Sequence, residues 1–209
     1  MPRPRSLTTR QIATAAITVI DRDGLAALSM RTVAAELDRR TMALYRYVED
    51  REELECLVVE LALGTVLDRP RTAPAPDPAP PRERLIALME LMREAVGAHP
   101  GVLPLAVRHH TGCLPALRWA EHVLEALGRA GLDGPGRRRA LQALTSYLIG
   151  ALELEHQGLA PGGAAGHAAL AAPDAFPLLT SSLAEQQQAD PGAEFLAGAE
   201  AVLRGLGIT

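Results

Sequence analysis

The chain has 209 residues, 48% apolar and 22% charged, enough for one sizeable buried core or two small ones, and no run nears the roughly 18 apolar residues of a membrane span. The basic start, MPRPRSLTTR, is not followed by an apolar stretch and a small-residue cleavage site, so it does not read as a secretory signal and the protein is expected to be cytoplasmic. The net charge of −4 hides a division: residues 1 to 47 hold eight Arg against four acids, and residues 48 to 209 hold thirteen Arg against twenty-one acids, so a polyanion is expected to meet the first quarter of the chain.

Helical spacing recurs along the sequence and no stretch alternates convincingly with period two, which predicts an all-α fold. Ile12, Ala16, Val19 and Ile20 form one stripe, Thr8 or Thr9 can cap its start and Gly24 stands at its stop, giving a first helix over 9 to 22. Ser29 caps a second helix from Met30 to Leu37, with Val33, Ala34 and Leu37 facing inward. Asp38 to Arg40 break it, and a third helix runs from Thr41 to about Tyr47 with Leu44 and Val48 inward. Two short helices joined by about three residues have the spacing of a helix-turn-helix.

Asp50 caps a longer helix, in which Leu54, Leu57, Val58 and Leu61 repeat on one face as far as Leu67. Residues 68 to 81, DRPRTAPAPDPAPP, carry six prolines and read as an extended linker, because proline removes a backbone donor and restricts the residue before it. Helical segments follow at about 82 to 98, 102 to 109, 114 to 130, 135 to 157, 174 to 188 and 192 to 206. The segment ending at His156 is apolar on two faces, Leu141, Leu144, Leu148 and Leu152 on one, and Ala140, Ala143, Tyr147, Ala151 and Leu154 on the other. Such a helix needs cover on both sides, from its own bundle or from a second subunit. The Gly-rich stretch 158 to 172 reads as disorder or, second, as a flap over a cavity. The expected domains are thus a DNA-reading unit over 1–50, a connecting helix over 51–67, the linker, and a helical ligand-binding and dimerisation domain over 82–209.

The second helix of a helix-turn-helix enters the DNA major groove, and residues 41 to 47 carry suitable chemistry. Arg46 can give a bidentate pair to guanine, Met42 and Ala43 can meet a thymine methyl, and Thr41 sets a hydroxyl beside helix N-terminal amides. Tyr45 and Tyr47 can reach phosphates while their rings pack against the neighbouring helix, or sit as half-buried core residues. Arg39 and Arg40 in the turn either touch phosphate or solvate the turn.

The run LSMRTVAAELDRRTMALYRYVEDREEL resembles the DNA-binding domain of the TetR family of one-component repressors. The resemblance rests on Ser29, Arg31, Val33 and Ala34, then Leu44, Tyr45, Tyr47 and Val48, then Asp50, Arg51 and Leu54, and covers about residues 8 to 67. GALELEHQG is loosely similar to the tetracycline-repressor branch. The resemblance implies that Arg31, Thr41, Met42, Ala43, Tyr45, Arg46, Tyr47 and Arg51 lie at DNA-contacting positions, Arg31 at the start of the second helix and Arg51 at the flanking backbone. It also implies a homodimer on a palindromic double-stranded operator and a small-molecule effector in the C-terminal bundle. Two departures stand out. The turn usually begins with Gly where Asp38 stands, and a small apolar plug usually follows where Arg39 stands.

Candidate pocket residues are Met89, Met92, His109, Trp119, Val123, Tyr147 and Glu153, each of which can equally be core or surface filler; an aliphatic lining would suit an apolar effector. Dimer candidates are 137 to 155 and 194 to 206. Cys56 and Cys113 lie outside any Cys-x-x-Cys pair or Cys/His cluster and read as free thiols. Glu153 and His156 have the i, i+3 spacing of half a di-iron site, but such a site needs two of these motifs together with two further glutamates and only one motif occurs, and adjacent His109 and His110 diverge by about 100° on a helix. No hydrolase, zincin, P-loop or dinucleotide motif occurs. The chain is expected to be no enzyme and to need no cofactor; the rival readings are a metal-dependent helical enzyme and a protein-binding adaptor.

Overall fold

The computed structural model describes residues 7–67, 79–156, 174–186 and 188–209. They form helices and turns with no strand among them, and no helix among them is long and apolar enough to cross a membrane. The prolines up to residue 78 and the Gly-rich stretch 158 to 172 lie outside the described residues.

Helix α1 spans Thr9–Asp23, opened by a capping box in which the Thr8 hydroxyl accepts from the Gln11 amide and the Gln11 side chain accepts from the Thr8 amide. Gly24, at φ +82°, ends it where a side chain would be strained. A 3₁₀ turn over Leu25–Ala27 leads to α2, Met30–Glu36, whose cap Ser29 exchanges the same pair of bonds with Thr32. Then come α3, Thr41–Leu44, and α4, Arg51–Leu67. The remaining helices are α5, Pro81–Gly97, a 3₁₀ turn over Pro100–Val102, α6, Leu103–Arg108, α7, Leu114–Arg129, α8, Gly134–His156, α9, Pro177–Gln186, and α10, Pro191–Gly205.

The described residues group into two compact units. The first takes those within Met1–Pro74 and Glu94–Glu121, the second those within Ala75–Arg93 and His122–Thr209, so α5 and α7 each contribute to both. Compactness thus follows a different line from the expected domain boundary at 82, because the segment after residue 93 has its own partners in the first unit. There α4 packs on α1 and α6, and α1 meets the turn at Pro100–Val102. A Cβ on Gly101 would lie 2.7 Å from Ile20 Cγ2, so only glycine allows that approach. His99 Nδ1 and an Asp21 carboxylate oxygen are 2.8 Å apart beside it.

The core of the first unit combines Ile12, Ala16, Val19 and Ile20 of α1 with Val33 and Ala34 of α2, Leu44, Val48, and Leu54, Val58, Val59, Ala62 and Leu63 of α4. Leu57 and Leu61, expected inward, are half-buried, because the buried face of α4 runs through Leu54, Glu55, Val58, Val59, Ala62 and Leu63 and leaves them outside it. In the second unit Leu85, Leu88, Met89 and Met92, Val123 and Leu127, Ala140, Leu144, Leu148 and Leu152, and Phe195, Ala199 and Leu203 are buried. Ala140 therefore joins the leucine ridge of α8 instead of its opposite face. Helix α10 packs on α8 at Gly198, where a Cβ would come within 2.8 Å of the Tyr147 ring.

Candidate nucleic-acid interface

The turn between α2 and α3 is a Schellman motif. The Arg39 amide donates to the Ala34 carbonyl at 2.9 Å and the Asp38 amide to Ala35 at 3.0 Å. That geometry places Asp38, which stands where the turn usually begins with Gly, in the left-handed region at φ +53°. Arg39 is exposed and turns its Nη1 back onto the Asp38 carbonyl at 2.9 Å, so its guanidinium braces the turn instead of plugging the gap between helices. Arg40 is exposed and begins α3, accepting the Ala43 amide on its carbonyl.

Helix α3 is shorter than its apolar spacing predicts. It ends at Leu44, and Tyr45 to Tyr47 form a tightened turn in which the Tyr47 and Val48 amides both donate to the Leu44 carbonyl. Leu44 and Val48 are fully buried and anchor this element. The side chains around them divide by exposure: Met42 is 74% and Tyr45 47% exposed, Arg46 is exposed, and Thr41, Ala43 and Tyr47 are half-buried. Arg31 lies exposed at the start of α2. Arg31, Arg40 and Arg46 form no ion pair among the described residues, whereas Arg22 is engaged by Asp23 and Glu36.

Asp50 caps α4 by accepting the Glu53 amide at 2.9 Å. One residue on, Arg51 donates Nε to Glu55 Oε1 at 2.9 Å. Glu55 was not singled out from the sequence, yet it is a buried acid held from a second segment as well, by Arg108 Nη1 at 2.8 Å and His109 Nε2 at 3.2 Å on Oε2. Burial raises its pKa, but the hydrogen bonds from Arg51, His109 and Arg108 together outweigh burial and hold the carboxyl below its ordinary range. The available signal was positional: Glu55 precedes Val59 and Ala62 at i, i+4, i+7 on an apolar ridge of α4.

The pocket candidates divide between the units. His109 and Trp119 belong to the first, and Met89, Met92, Val123, Tyr147 and Glu153 to the second. Met89, Met92, Trp119 and Val123 are core residues, and Glu153 is half-buried. The Tyr147 hydroxyl donates to the Phe195 carbonyl at 2.6 Å, and burial pushes the phenol up. Cys56 and Cys113 are free, with the Cys56 sulfur 3.6 Å from His109 Nδ1. No group of three His, Cys, Asp or Glu among the described residues could hold a metal ion.

Residues 73–209 match the family model described as "Tetracyclin repressor-like, C-terminal domain". The chain belongs to the TetR family. An HTH-type transcriptional regulator of Saccharopolyspora erythraea is 32% identical over 149 residues, 71% of this TetR-family chain and 61% of that protein. The HTH-type transcriptional repressor DrrR1 of Streptomyces coeruleorubidus is 34% identical over 155 residues, 72% of this chain and 54% of that one. The matches thus span between half and two thirds of those relatives' own lengths. The crystal structure of the TetR family protein ActR of Streptomyces coelicolor in complex with actinorhodin has a TM-score of 0.76 at 25% identity, covering 97% of this chain and 96% of that one.

Proposed function

We propose that the protein is a sequence-specific DNA-binding transcriptional regulator, a repressor released from its operator when a small molecule binds the C-terminal helices. The observation that carries this reading is the division at α3. Leu44 and Val48 fix the element in the core while Met42, Tyr45 and Arg46 stand in solvent, within the part of the chain that carries the positive surplus. The relatives named as a regulator and a repressor support it. In this reading Arg46, Met42, Ala43 and Thr41 meet base edges and neighbouring phosphates, Tyr45, Tyr47, Arg31, Arg39, Arg40 and Arg51 meet the backbone, and no catalysis is assigned.

The reading further assigns a homodimer on a palindromic operator, its two heads about 34–36 Å apart. Leu154 within 137 to 155, with Phe176 just before α9 and Leu178 and Leu179 in it, leaves apolar surface exposed that a second copy can cover. For the effector, the buried Met89, Met92 and Val123 favour an apolar molecule, and ActR, a TetR family protein, binds actinorhodin. The effector acts by binding one arrangement of the dimer better than the DNA-bound one.

A gel-shift of the full-length protein, first on DNA upstream of its own coding region and then on duplexes selected from a random pool, tests the reading. Retention that weakens steeply with salt is expected; absence of retention even at low salt would rule it out.

A further inference from the structure

Glu55 is the one acid in the buried core among the described residues, and its two oxygens serve different segments. Oε1 accepts from Arg51, one turn earlier on α4. Oε2 accepts from Arg108 and from His109, which is itself only 8% exposed. Among the described residues Arg51 spends only its Nε, so both Nη groups of a half-exposed side chain remain available. Arg93 shows the alternative. It grips Glu155 with Nε at 2.9 Å and Nη2 at 2.6 Å, the bidentate fork that arginine and carboxylate frequently adopt.

We propose that Arg108 and His109 are positioning residues for Arg51: by occupying Oε2 of Glu55 they keep the Arg51–Glu55 pair to a single bond and leave the Arg51 fork to a DNA phosphate. When those two withdraw, the carboxylate takes Arg51 bidentately and the phosphate loses its partner. The segment holding Arg108 and His109 thereby sets the DNA affinity of a residue it does not touch, through one shared buried carboxylate. The inference rests on the DNA-binding reading above and on the place that the family resemblance gives Arg51 beside the DNA backbone.

The test uses the full-length protein, a duplex that the wild type selects from a random pool, and affinities measured from about 50 to 200 mM salt. Arg51→Ala is expected to weaken binding and to lower the slope of log affinity against log salt by about 0.9 per head, one phosphate contact in each. Arg108→Ala is expected to weaken binding about three- to ten-fold with the same loss of slope, while changing it less than about two-fold in the Arg51→Ala background. Arg108→Lys should recover much of the loss, and adding Glu55→Gln to Arg108→Ala should restore affinity, because a neutral amide no longer draws Arg51 in. Equal weakening by Arg108→Ala with and without Arg51, or none at all, would overturn the proposal. An unchanged slope for Arg51→Ala overturns it while leaving the DNA-binding reading intact, and a wild type that retains no duplex overturns both.

Discussion

Helices α2, α7 and α10 end in the same pair of backbone hydrogen bonds, yet the second unit and the first fill the left-handed position differently. In the second unit Gly131, at φ +88°, and Gly207, at φ +76°, close α7 and α10 without steric cost. In the first, Asp38 holds the equivalent position and Arg39 braces it. The units differ again in their arginine–glutamate pairs, with Arg93 and Glu155 closed into a fork and Arg51 and Glu55 held to one bond. The strained turn lies between α2 and α3, and the open pair joins the first turn of α4 to the segment at Arg108 and His109.

Three substitutions break or sharpen that contrast. Gly198→Ala drives a methyl into the Tyr147 ring, which its own hydroxyl ties to Phe195, so it should cost about 1–3 kcal/mol and separate α8 from α10. A thermal melt and loss of near-ultraviolet tyrosine signal would show this; an unaltered melting temperature would mean that the helices part freely. Glu55→Gln should cost about 1–2 kcal/mol at neutral pH, less than a fully buried pair because Arg51 and Arg108 can turn to solvent. The folded pKa of Glu55 lies below its ordinary 4.5, so its contribution is complete above that value and is lost as pH falls through the lower folded value. The gap between the urea midpoints of wild type and variant should therefore narrow progressively as pH falls below 4.5, and a gap that stays constant on acidification contradicts an ionic origin. Asp38→Gly relieves the left-handed strain and should gain about 0.5–1 kcal/mol, bringing the turn level with the ends of α7 and α10; a loss of stability would show that the aspartate has a compensating partner.

Much of the fold is legible because its helix ends carry local chemistry. Thr8, Ser29 and Asp50 each cap the helix that follows, and Gly24 ends α1, at the positions their side chains predict. The length of α3 is not legible. Leu44 and Val48 have helical spacing, but the turn between them tightens and the apolar pattern is blind to it. Buried charge is also hidden: Glu55 and Arg108 are 53 positions apart, and no periodicity links them. His109 shows the same limit, since a histidine on an apolar segment suits a pocket or a core, and only the fold reveals that its Nε2 is committed to Glu55.

Arg46 is the side chain on which the proposed function depends most, being exposed and free of ion pairs among the described residues, and the one proposed to read a base edge. The decisive measurement is the affinity of wild type and Arg46→Ala for a selected duplex and for a scrambled one, across a salt series. The account predicts that the variant loses about 1–3 kcal/mol of preference per head for the selected duplex while keeping salt-dependent binding to both. Equal preference in wild type and variant would contradict it.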